Sequence, residues 1–354
     1  MTFSRANGNA HVNTLKFVFS LLYILKERFL AIMSTVDNMQ NTLTKLCSCL
    51  LLFGFTITAT LFAEKSKSLG GEYPYNTFMI PFAVEGCKLV VSTVLLMSQY
   101  MRDSSSVVTT FSARGFGLFA VPAFCYFVSN NCMFYIIHDL GPSTFQVTNN
   151  LKVLSTGLLM RIFLGRKLSW LKWKALIILA IGSMVTQLQA DLVDDDDKKV
   201  MRVTTRTSRS YLIVCVNAFA AGAGGVFSEK LLKSVDTKGN ASDSIHWQNM
   251  QLYLFGLLFG LLSLYTNQAE VSIQIFAGFN AYAYATVATL TICGLLVSFI
   301  LKYIDNLAKC FVAALSMISI VFIETSMKHE TIPLRLILGV ILTCLALEQY
   351  NMSA

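Results

Sequence analysis

Residues 282–301 read YAYATVATLTICGLLVSFIL, twenty residues in succession without a charged side chain. An α-helix rises about 1.5 Å per residue, so a helix of this length crosses the roughly 30 Å hydrocarbon core of a lipid bilayer. In water such a segment would have to be buried by the rest of the protein on every side, whereas lipid can surround it directly. The stretch therefore predicts a transmembrane helix.

Nine other apolar blocks of similar length occupy most of the chain after residue 43. Only 14% of the 354 residues are charged, against about 25% in soluble domains. Because the bilayer core offers no water, each span must satisfy its own backbone hydrogen bonds, which favours helices. The sequence predicts an all-α membrane protein with ten transmembrane helices. These are residues 44–63, 77–99, 115–137, 143–164, 171–189, 210–232, 247–266, 282–301, 307–326 and 332–350.

One long connection, residues 190–209, divides the predicted spans five and five. It contains the run Asp194–Asp197 followed by two lysines, which is typical of a solvated linker; a metal site or a protease-tag scar is the alternative. Five spans per half place the halves in the membrane with opposite orientation. We therefore predict two inverted five-helix repeats, residues 44–189 and 210–350, joined by a charged luminal linker.

The predicted N-terminal segment, residues 1–43, is cytosolic and lacks a full span. Its apolar stretch 15–25 is too short to cross a bilayer and is followed by charged residues without a small-residue cleavage site. An interfacial helix is the simplest interpretation. A start at Met33 is the alternative.

Basic residues predict the orientation of the chain in the membrane. With residue 1 in the cytosol, the predicted cytosolic segments hold 17 of the 28 Lys and Arg residues, and the opposite side holds nine. Cytosolic loops are enriched in such residues, so both termini are predicted to be cytosolic. The same distribution explains the pI near 9.0 without a nucleic-acid partner. The nine Cys lie almost entirely inside apolar blocks without metal-binding spacing, and no metal or cofactor is predicted.

Ionisable residues inside spans each cost about 2.5–3.5 kcal/mol at mid-helix, which makes them candidates for function. Glu85 and Lys88 are three residues apart and can pair on one helix face, as a site or as a structural ion pair. Lys152 has no acidic residue within a turn, which favours a water-filled site over snorkelling. Glu229 lies near a cytosolic helix end, where snorkelling is the simpler prediction. The other members of the set are Lys302 and Glu324, with Asp305 and Lys309 at a span boundary.

Amide side chains cluster in the third and fourth predicted spans. They are Asn130, Asn131, Gln146, Asn149 and Asn150. Amides offer paired donors and acceptors that suit a nucleobase edge or sugar hydroxyls, although they can also hold helices together. A cavity that also contains the lysines at 88, 152 and 302 would attract an anion, phosphate in particular.

Five segments resemble the nucleotide-sugar transporter family, in its CMP-sialic acid/UDP-galactose branch within the drug/metabolite transporter superfamily. The similarity is greatest to plant and algal CMP-sialic-acid-transporter-like members, and it covers about residues 44–350. The segments are FQVTNNLKVLSTG at 145–157, GRKLSWLKW at 165–173, GVFSEKLLK at 225–233, WQNMQLY at 247–253 and ILKYIDN at 300–306.

This resemblance implies a ten-helix inverted-repeat fold with a central cavity in the Golgi membrane, or alternatively in the ER membrane. It implies exchange of a cytosolic nucleotide sugar for a luminal nucleoside monophosphate, and leaves open whether the protein is a homodimer. By position, it implies phosphate-facing lysines at Lys88 and Lys302, and a fourth-span lysine at Lys152. It also implies a base-contacting Asn130, a cavity tyrosine at Tyr253, and gating or structural roles for Glu85, Glu229, Asp305 and Asn306.

Several positions depart from the animal members of the family. Ser129 stands in place of a glutamine, Phe145, Asn149 and Phe227 in place of tyrosines, and Gln248 in place of an arginine. A CMP-sugar and a UDP-sugar therefore both stay open as cargo. Three alternatives are a carrier of another organic anion, a membrane-embedded glycosyl- or acyltransferase, and a scaffold that does not transport.

The predicted orientation can be tested at two glycosylation sequons, Asn240-Ala-Ser242 and Asn351-Met-Ser353. Both fall in segments predicted to be cytosolic, where no N-glycan is added. We expect the native protein to keep its electrophoretic mobility after glycosidase treatment. A glycan on either asparagine would reverse the predicted topology.

Overall fold

The computed structural model describes residues 39–68, 73–103, 108–109, 111–187, 208–234, 243–266, 276–327 and 334–351. All regular secondary structure within those ranges is helical. The helices are α1 (Met39–Lys65), α2 (Met79–Arg102), α3 (Ala113–Leu118), α4 (Ala120–Asn149), α5 (Leu151–Phe163), α6 (Trp170–Gln187), α7 (Ser208–Leu232), α8 (Ile245–Thr266), α9 (Ala281–Tyr303), α10 (Asn306–Met327) and α11 (Leu334–Asn351). Most of the predicted N-terminal segment and of the linker, and the sequon at Asn240, lie outside the described residues.

Six stretches of these helices are long and apolar enough to cross a membrane, which confirms a multi-pass membrane protein. Their surfaces carry many exposed leucines, valines and phenylalanines, as expected for helices that face lipid. The six are Leu43–Lys65, Met79–Arg102, Ala113–Met133, Arg209–Leu232, Ala281–Tyr303 and Asn306–Ile323.

The third and fourth predicted spans differ from the structure at their junction. The sequence predicts a connection at 138–142, but α4 runs through these residues and is 30 residues long. The helix ends instead at Asn149, and the amide of Val153 bonds to the carbonyl of Asn150 as α5 begins. In an apolar environment an unbroken helix satisfies backbone groups that a loop would leave unpaired, so Gly141 and Pro142 do not interrupt it.

The most extensive helix pairings join the first half of the chain to the second. Helix α4 packs along α7, α6 along α11, α1 along α9, and α2 along α8. The largest apolar core lies between the halves and combines Leu159, Met160 and Leu176 with Ile300 and Leu307. The two halves therefore share one interior, and groups from both can line a cavity there.

Helices α6 and α11 approach closely at Gly182. A Cβ atom added at Gly182 would lie 2.9 Å from Cβ of Leu342 and 3.3 Å from the carbonyl oxygen of Gly339. Small residues at such crossings let two helix backbones meet, which is the main source of packing energy between helices in lipid.

Replacement of Gly182 by leucine should separate α6 from α11 and destabilise the protein by about 1–3 kcal/mol, as is usual for overpacking. The midpoint of thermal unfolding in detergent measures the effect. Gly54→Leu is the matched control, since nothing lies within 4 Å of a Cβ at Gly54. Equal midpoints for the two variants would contradict the crossing.

Candidate functional site

An internal cavity with two lobes lies between the halves. The first, here the aromatic lobe, has a volume of about 400 Å³, a size typical of small-molecule sites. It is formed mainly by α2, α4, α8 and α9. Its wall carries four phenylalanines, two tyrosines, an ion pair and two asparagines. They are Phe78, Phe82, Phe127, Phe259, Tyr126, Tyr253, Glu85, Lys88, Asn130 and Asn131.

The second, here the amide lobe, has a volume of about 390 Å³. Its wall comes from α1, α4, α5, α6, α7, α9 and α10, and its polar side chains are amides, hydroxyls and two lysines. They are Asn130, Asn149, Asn150, Asn217, Ser129, Thr56, Thr156, Ser183, Lys152 and Lys309. No acidic side chain is among the residues that line this lobe.

The two lobes meet at four residues that line both of them. These are Tyr126, Asn130, Val297 and Lys309. A single extended ligand could therefore occupy both lobes, with its middle beside Lys309.

Lys152 and Lys309 face the amide lobe from opposite halves of the chain. Lys152 lies at the start of α5 and Lys309 in the first turn of α10, and the two ammonium groups repel each other electrostatically. Neither makes an ion pair with an acidic side chain within the described part of the chain. The lobe therefore carries uncompensated positive charge at a partly desolvated position, which is how a protein attracts an anion.

Lys88 is a lysine whose charge is already compensated. Its ammonium group donates to Glu85, as the spacing of three residues predicts, and lies 4.4 Å from the centre of the Tyr253 ring. Tyr253 is fixed in turn by a 2.8 Å hydrogen bond between its hydroxyl and that of Ser298. Gly294 leaves room for the lysine stem, since a Cβ there would lie 2.5 Å from Cδ of Lys88. Away from Lys309, at its junction with the amide lobe, the aromatic lobe is thus close to neutral.

Lys302 is not among the residues that line either lobe. Its ammonium group donates to the side-chain oxygen of Gln248 at 2.7 Å and to the carbonyl of Asp243 at 2.6 Å. These bonds tie the end of α9 to the start of α8. The structure therefore places Lys302 in a helix-to-helix contact, whereas Lys309, seven residues later, faces the cavity.

Glu229 corrects another prediction, because it does not snorkel. The residue is fully buried, with an exposed fraction of 0%. Its carboxylate accepts from Arg166 at 2.9 Å, from Lys233 at 2.8 Å and from the backbone amide of Asn306 at 3.0 Å. A buried carboxylate needs such partners because its desolvation is expensive.

This network joins three parts of the chain. Arg166 also donates to Asp305 at 3.3 Å, and Asp305 in turn accepts from the amide of Ala308 in the first turn of α10. Gly165, with φ of +66°, ends α5 in the left-handed region and turns the chain just before Arg166. The loop between α5 and α6, the end of α7 and the junction of α9 with α10 are therefore bound together.

Asn306 lies at the centre of this contact. Its side-chain amide is buried without a hydrogen-bond partner among the described residues, and a Cβ at Gly225 would come within 2.5 Å of it. Of the other predicted residues, Asn130 lines both lobes, Asn131 the aromatic lobe, and Asn149 and Asn150 the amide lobe. The side chains of Gln146 and Glu324 lie outside the described residues.

Four residues of these two sites were not predicted as site residues from the sequence. The sequence identifies Lys309 only as an ionisable residue at a span boundary, because the direction in which it points depends on how the chain turns between α9 and α10. Asn217 could have been found as the lone amide of its span. Nothing local marks Tyr126 or Arg166, because their partners are distant in sequence.

An all-helical membrane protein with a cavity between its halves and uncompensated cations inside it has the organisation of a solute carrier rather than of a receptor or an enzyme. Residues 40–351 match the family described as nucleotide-sugar transporters, and the chain belongs to that family. The resemblance seen in the sequence is confirmed. The members of this family are transporters, so the transferase alternative is wrong and nucleotide-sugar transport is the function.

Individual relatives agree with the family assignment. The chain is 31% identical over 309 residues to CMP-sialic acid transporter 1 of Oryza sativa subsp. japonica, which covers 85% of this chain and 92% of that protein. It is 29% identical over 289 residues to UDP-galactose translocator 1 of Caenorhabditis elegans, covering 78% and 79%. A solved crystal structure superposes with a TM-score of 0.63 at 12% identity, over 87% of this chain and 99% of that one, which shows a shared fold alone.

Replacement of Glu229 by glutamine should destabilise the protein by about 3 kcal/mol, because it leaves Arg166 and Lys233 short of a buried partner. Thermal unfolding in detergent measures the loss. Glu64→Gln is the matched control, since Glu64 pairs with Lys67 at the surface, where an ion pair contributes about 0–1 kcal/mol. Similar midpoints for the two variants would contradict a buried, structural Glu229.

Proposed function

We propose that the protein exchanges a cytosolic nucleotide sugar for a luminal nucleoside monophosphate by alternating access. The observation that carries this proposal is the pair of uncompensated lysines, Lys152 and Lys309, in the amide lobe. A phosphate group between them would neutralise the repulsion and accept charge-assisted hydrogen bonds from both. Phosphate is the anionic group that nucleotide sugars and nucleoside monophosphates share.

The same pair gives a physical reason for exchange rather than one-way transport. In alternating access the two halves close around the site before they open on the other side. Closure of an empty site would bring two like charges together in a medium of low dielectric constant, which is unfavourable. A bound anion removes that barrier, so the loaded carrier crosses and the empty carrier does not.

The near-neutral aromatic lobe suits the uncharged part of the cargo. Flat aromatic side chains stack on nucleobases, and such stacking contributes about 1–3 kcal/mol per base where it has been measured. We assign the base to the aromatic lobe, with Asn130 and Asn131 as hydrogen-bonding partners, and the phosphate to the amide lobe. Lys88 keeps Glu85 as its partner and so orders this lobe rather than binding phosphate.

An inverted repeat is supported by the pattern of helix pairing. Let α1, α2, α4, α5 and α6 of the first half correspond to α7, α8, α9, α10 and α11 of the second. If each helix is replaced by its counterpart in the other half, the α1–α9 pairing becomes α7–α4, the α1–α10 pairing becomes α7–α5, and the α2–α9 pairing becomes α8–α4. All six of these pairings occur in the structure. The α2–α8 and α6–α11 pairings map onto themselves. We propose ten spans in two such halves, with α4 and α5 together supplying the third and fourth.

The Glu229 network is the proposed gate on one side of the cavity. It links the loop after α5, in the first half, to α7 and the α9–α10 junction, in the second. The basic residues predict that this end is cytosolic, so the described arrangement corresponds to a carrier closed toward the cytosol. We place the protein in the Golgi membrane with both termini in the cytosol, and the ER membrane is the alternative.

Paired lysines also attract carboxylates and sulfates, so the site must distinguish nucleotides from these anions. Competition in proteoliposomes measures this selectivity. Nucleoside monophosphates should displace a labelled nucleotide sugar at concentrations where dicarboxylates and inorganic sulfate do not.

We expect Lys152→Ala and Lys309→Ala each to abolish exchange of labelled nucleoside monophosphate by purified protein in liposomes, because one lysine cannot hold the phosphate that two hold. Lys302→Ala should slow exchange less, since its ammonium group is already bonded to Gln248 and Asp243.

Lys174→Ala is the matched control, because that lysine is exposed beside the ring of Trp170. It should leave the rate unchanged, and all variants should elute as monodisperse protein. Wild-type rates for both Lys152→Ala and Lys309→Ala would remove the anion site from the amide lobe.

A further inference from the structure

We propose that Asn217 determines specificity in the amide lobe by donating a hydrogen bond to an oxygen of the cargo, and that Ser129 is the positioning residue that makes Asn217 a donor. This inference rests on the proposed function. It adds a ligand contact from α7, which contributed no substrate-binding residue to the site predicted from the sequence.

The geometry of Asn217 is that of a buried group turned toward a cavity. The residue has an exposed fraction of 2%, yet it lines the amide lobe. Its side-chain oxygen accepts a 2.8 Å hydrogen bond from the hydroxyl of Ser129, on α4. Within the described residues its amide N–H₂ has no partner. An amide donor on the wall of a cavity is available to an acceptor group of a ligand there.

The backbone around Asn217 is fixed relative to the anion site. The hydroxyl of Ser155 lies 2.6 Å from the carbonyl of Ala218, next to Asn217, and 3.0 Å from the carbonyl of Lys152. Gly222, one turn further along α7, lies so close that a Cβ there would be 2.6 Å from the Ser155 hydroxyl. Helices α7 and α5 therefore meet closely, and a phosphate held by Lys152 brings the adjoining part of the cargo toward Asn217.

The bond from Ser129 decides which chemistry Asn217 can recognise. A free carboxamide can present either its oxygen or its N–H₂ group to a ligand. Because Ser129 occupies the oxygen, the group that remains for the cargo is a donor. It selects acceptor oxygens in the part of the cargo that adjoins the phosphate, either a ribose hydroxyl of the nucleoside or an oxygen of the transported sugar.

The test uses full-length purified protein in proteoliposomes with Asn217→Ala, Asn217→Asp and Ser129→Ala. Exchange is inhibited in turn by CMP, UMP, a CMP-sugar and a UDP-sugar. Asn217→Ala should lower the affinity for the preferred ligands about two- to tenfold, which is the effect expected from the loss of one neutral hydrogen bond. Asn217→Asp should lower this affinity further, because it removes the donor and adds negative charge near the phosphate.

Ser129→Ala distinguishes a positioning role of Ser129 from a purely structural one, because only a positioning role affects ligand selectivity. It should reduce the ratio between the strongest and weakest inhibitors more than it reduces their mean affinity, since the amide can then turn. Ser316→Ala is the control, as this buried hydroxyl on α10 bonds only within its own helix and lines neither lobe. It should keep wild-type affinities and ratios.

Each outcome decides the inference. Equal losses for monophosphates and sugar conjugates place the contact on the nucleoside, whereas losses confined to the conjugates place it on the sugar, and both support a donor at Asn217. Wild-type affinities and ratios in Asn217→Ala, or in Asn217→Asp where the alanine variant does not fold, overturn it. If the wild-type protein exchanges no nucleotide at all, the proposed function fails first.

Discussion

A charge inside the bilayer core must find its compensation within the protein, because the lipid offers none. Most of the buried charges obey this rule at once. Glu229 has two cationic partners and a backbone amide, and Lys88 has Glu85 and the face of Tyr253. Lys302 is bonded to two oxygens. These contacts join helices that are distant in sequence, so the compensation of charge also fixes the packing of the bundle around its cavity.

Lys152 and Lys309 are the exception, since neither makes an ion pair among the described residues. In the proposed mechanism their compensation is external, and the ligand that provides it is the cargo. Elsewhere in the protein, ion pairs and hydrogen bonds stabilise the buried charges, whereas at these two lysines the stabilisation comes from a reversibly bound ligand. If the closed form is the most stable form only when an anion is bound, closure of the protein is coupled to binding of that anion.

The helices and one ion pair were predictable because both depend on local spacing. Apolar length predicts spans, and three residues between Glu85 and Lys88 predict their contact. The environment of Glu229 was not predictable, since its partner Arg166 is 63 residues away in sequence. The resemblance implied phosphate-facing lysines at 88 and 302, and the structure adds Lys309 as a lysine that lines the cavity where Lys302 does not. The break between α9 and α10 at 304–305 changes which helix face points inward. The end of α4 was misplaced because Gly141 and Pro142, which break helices in water, do not do so here.

The different charge of the two lobes restricts which molecules can be cargo more strongly than the volume of the cavity does. An anion alone could fill the amide lobe but would leave the aromatic lobe empty, and a nucleoside alone would leave Lys152 and Lys309 uncompensated. A molecule with a flat uncharged ring at one end and a phosphate beyond it satisfies both lobes at once. Binding energy from the aromatic lobe then helps to bring the phosphate between the lysines, and closure follows only when both ends are in place. In the proposed mechanism, selection for nucleotides therefore arises from the spacing between a neutral lobe and a cationic one, and the amides that line the two lobes select among the nucleotides.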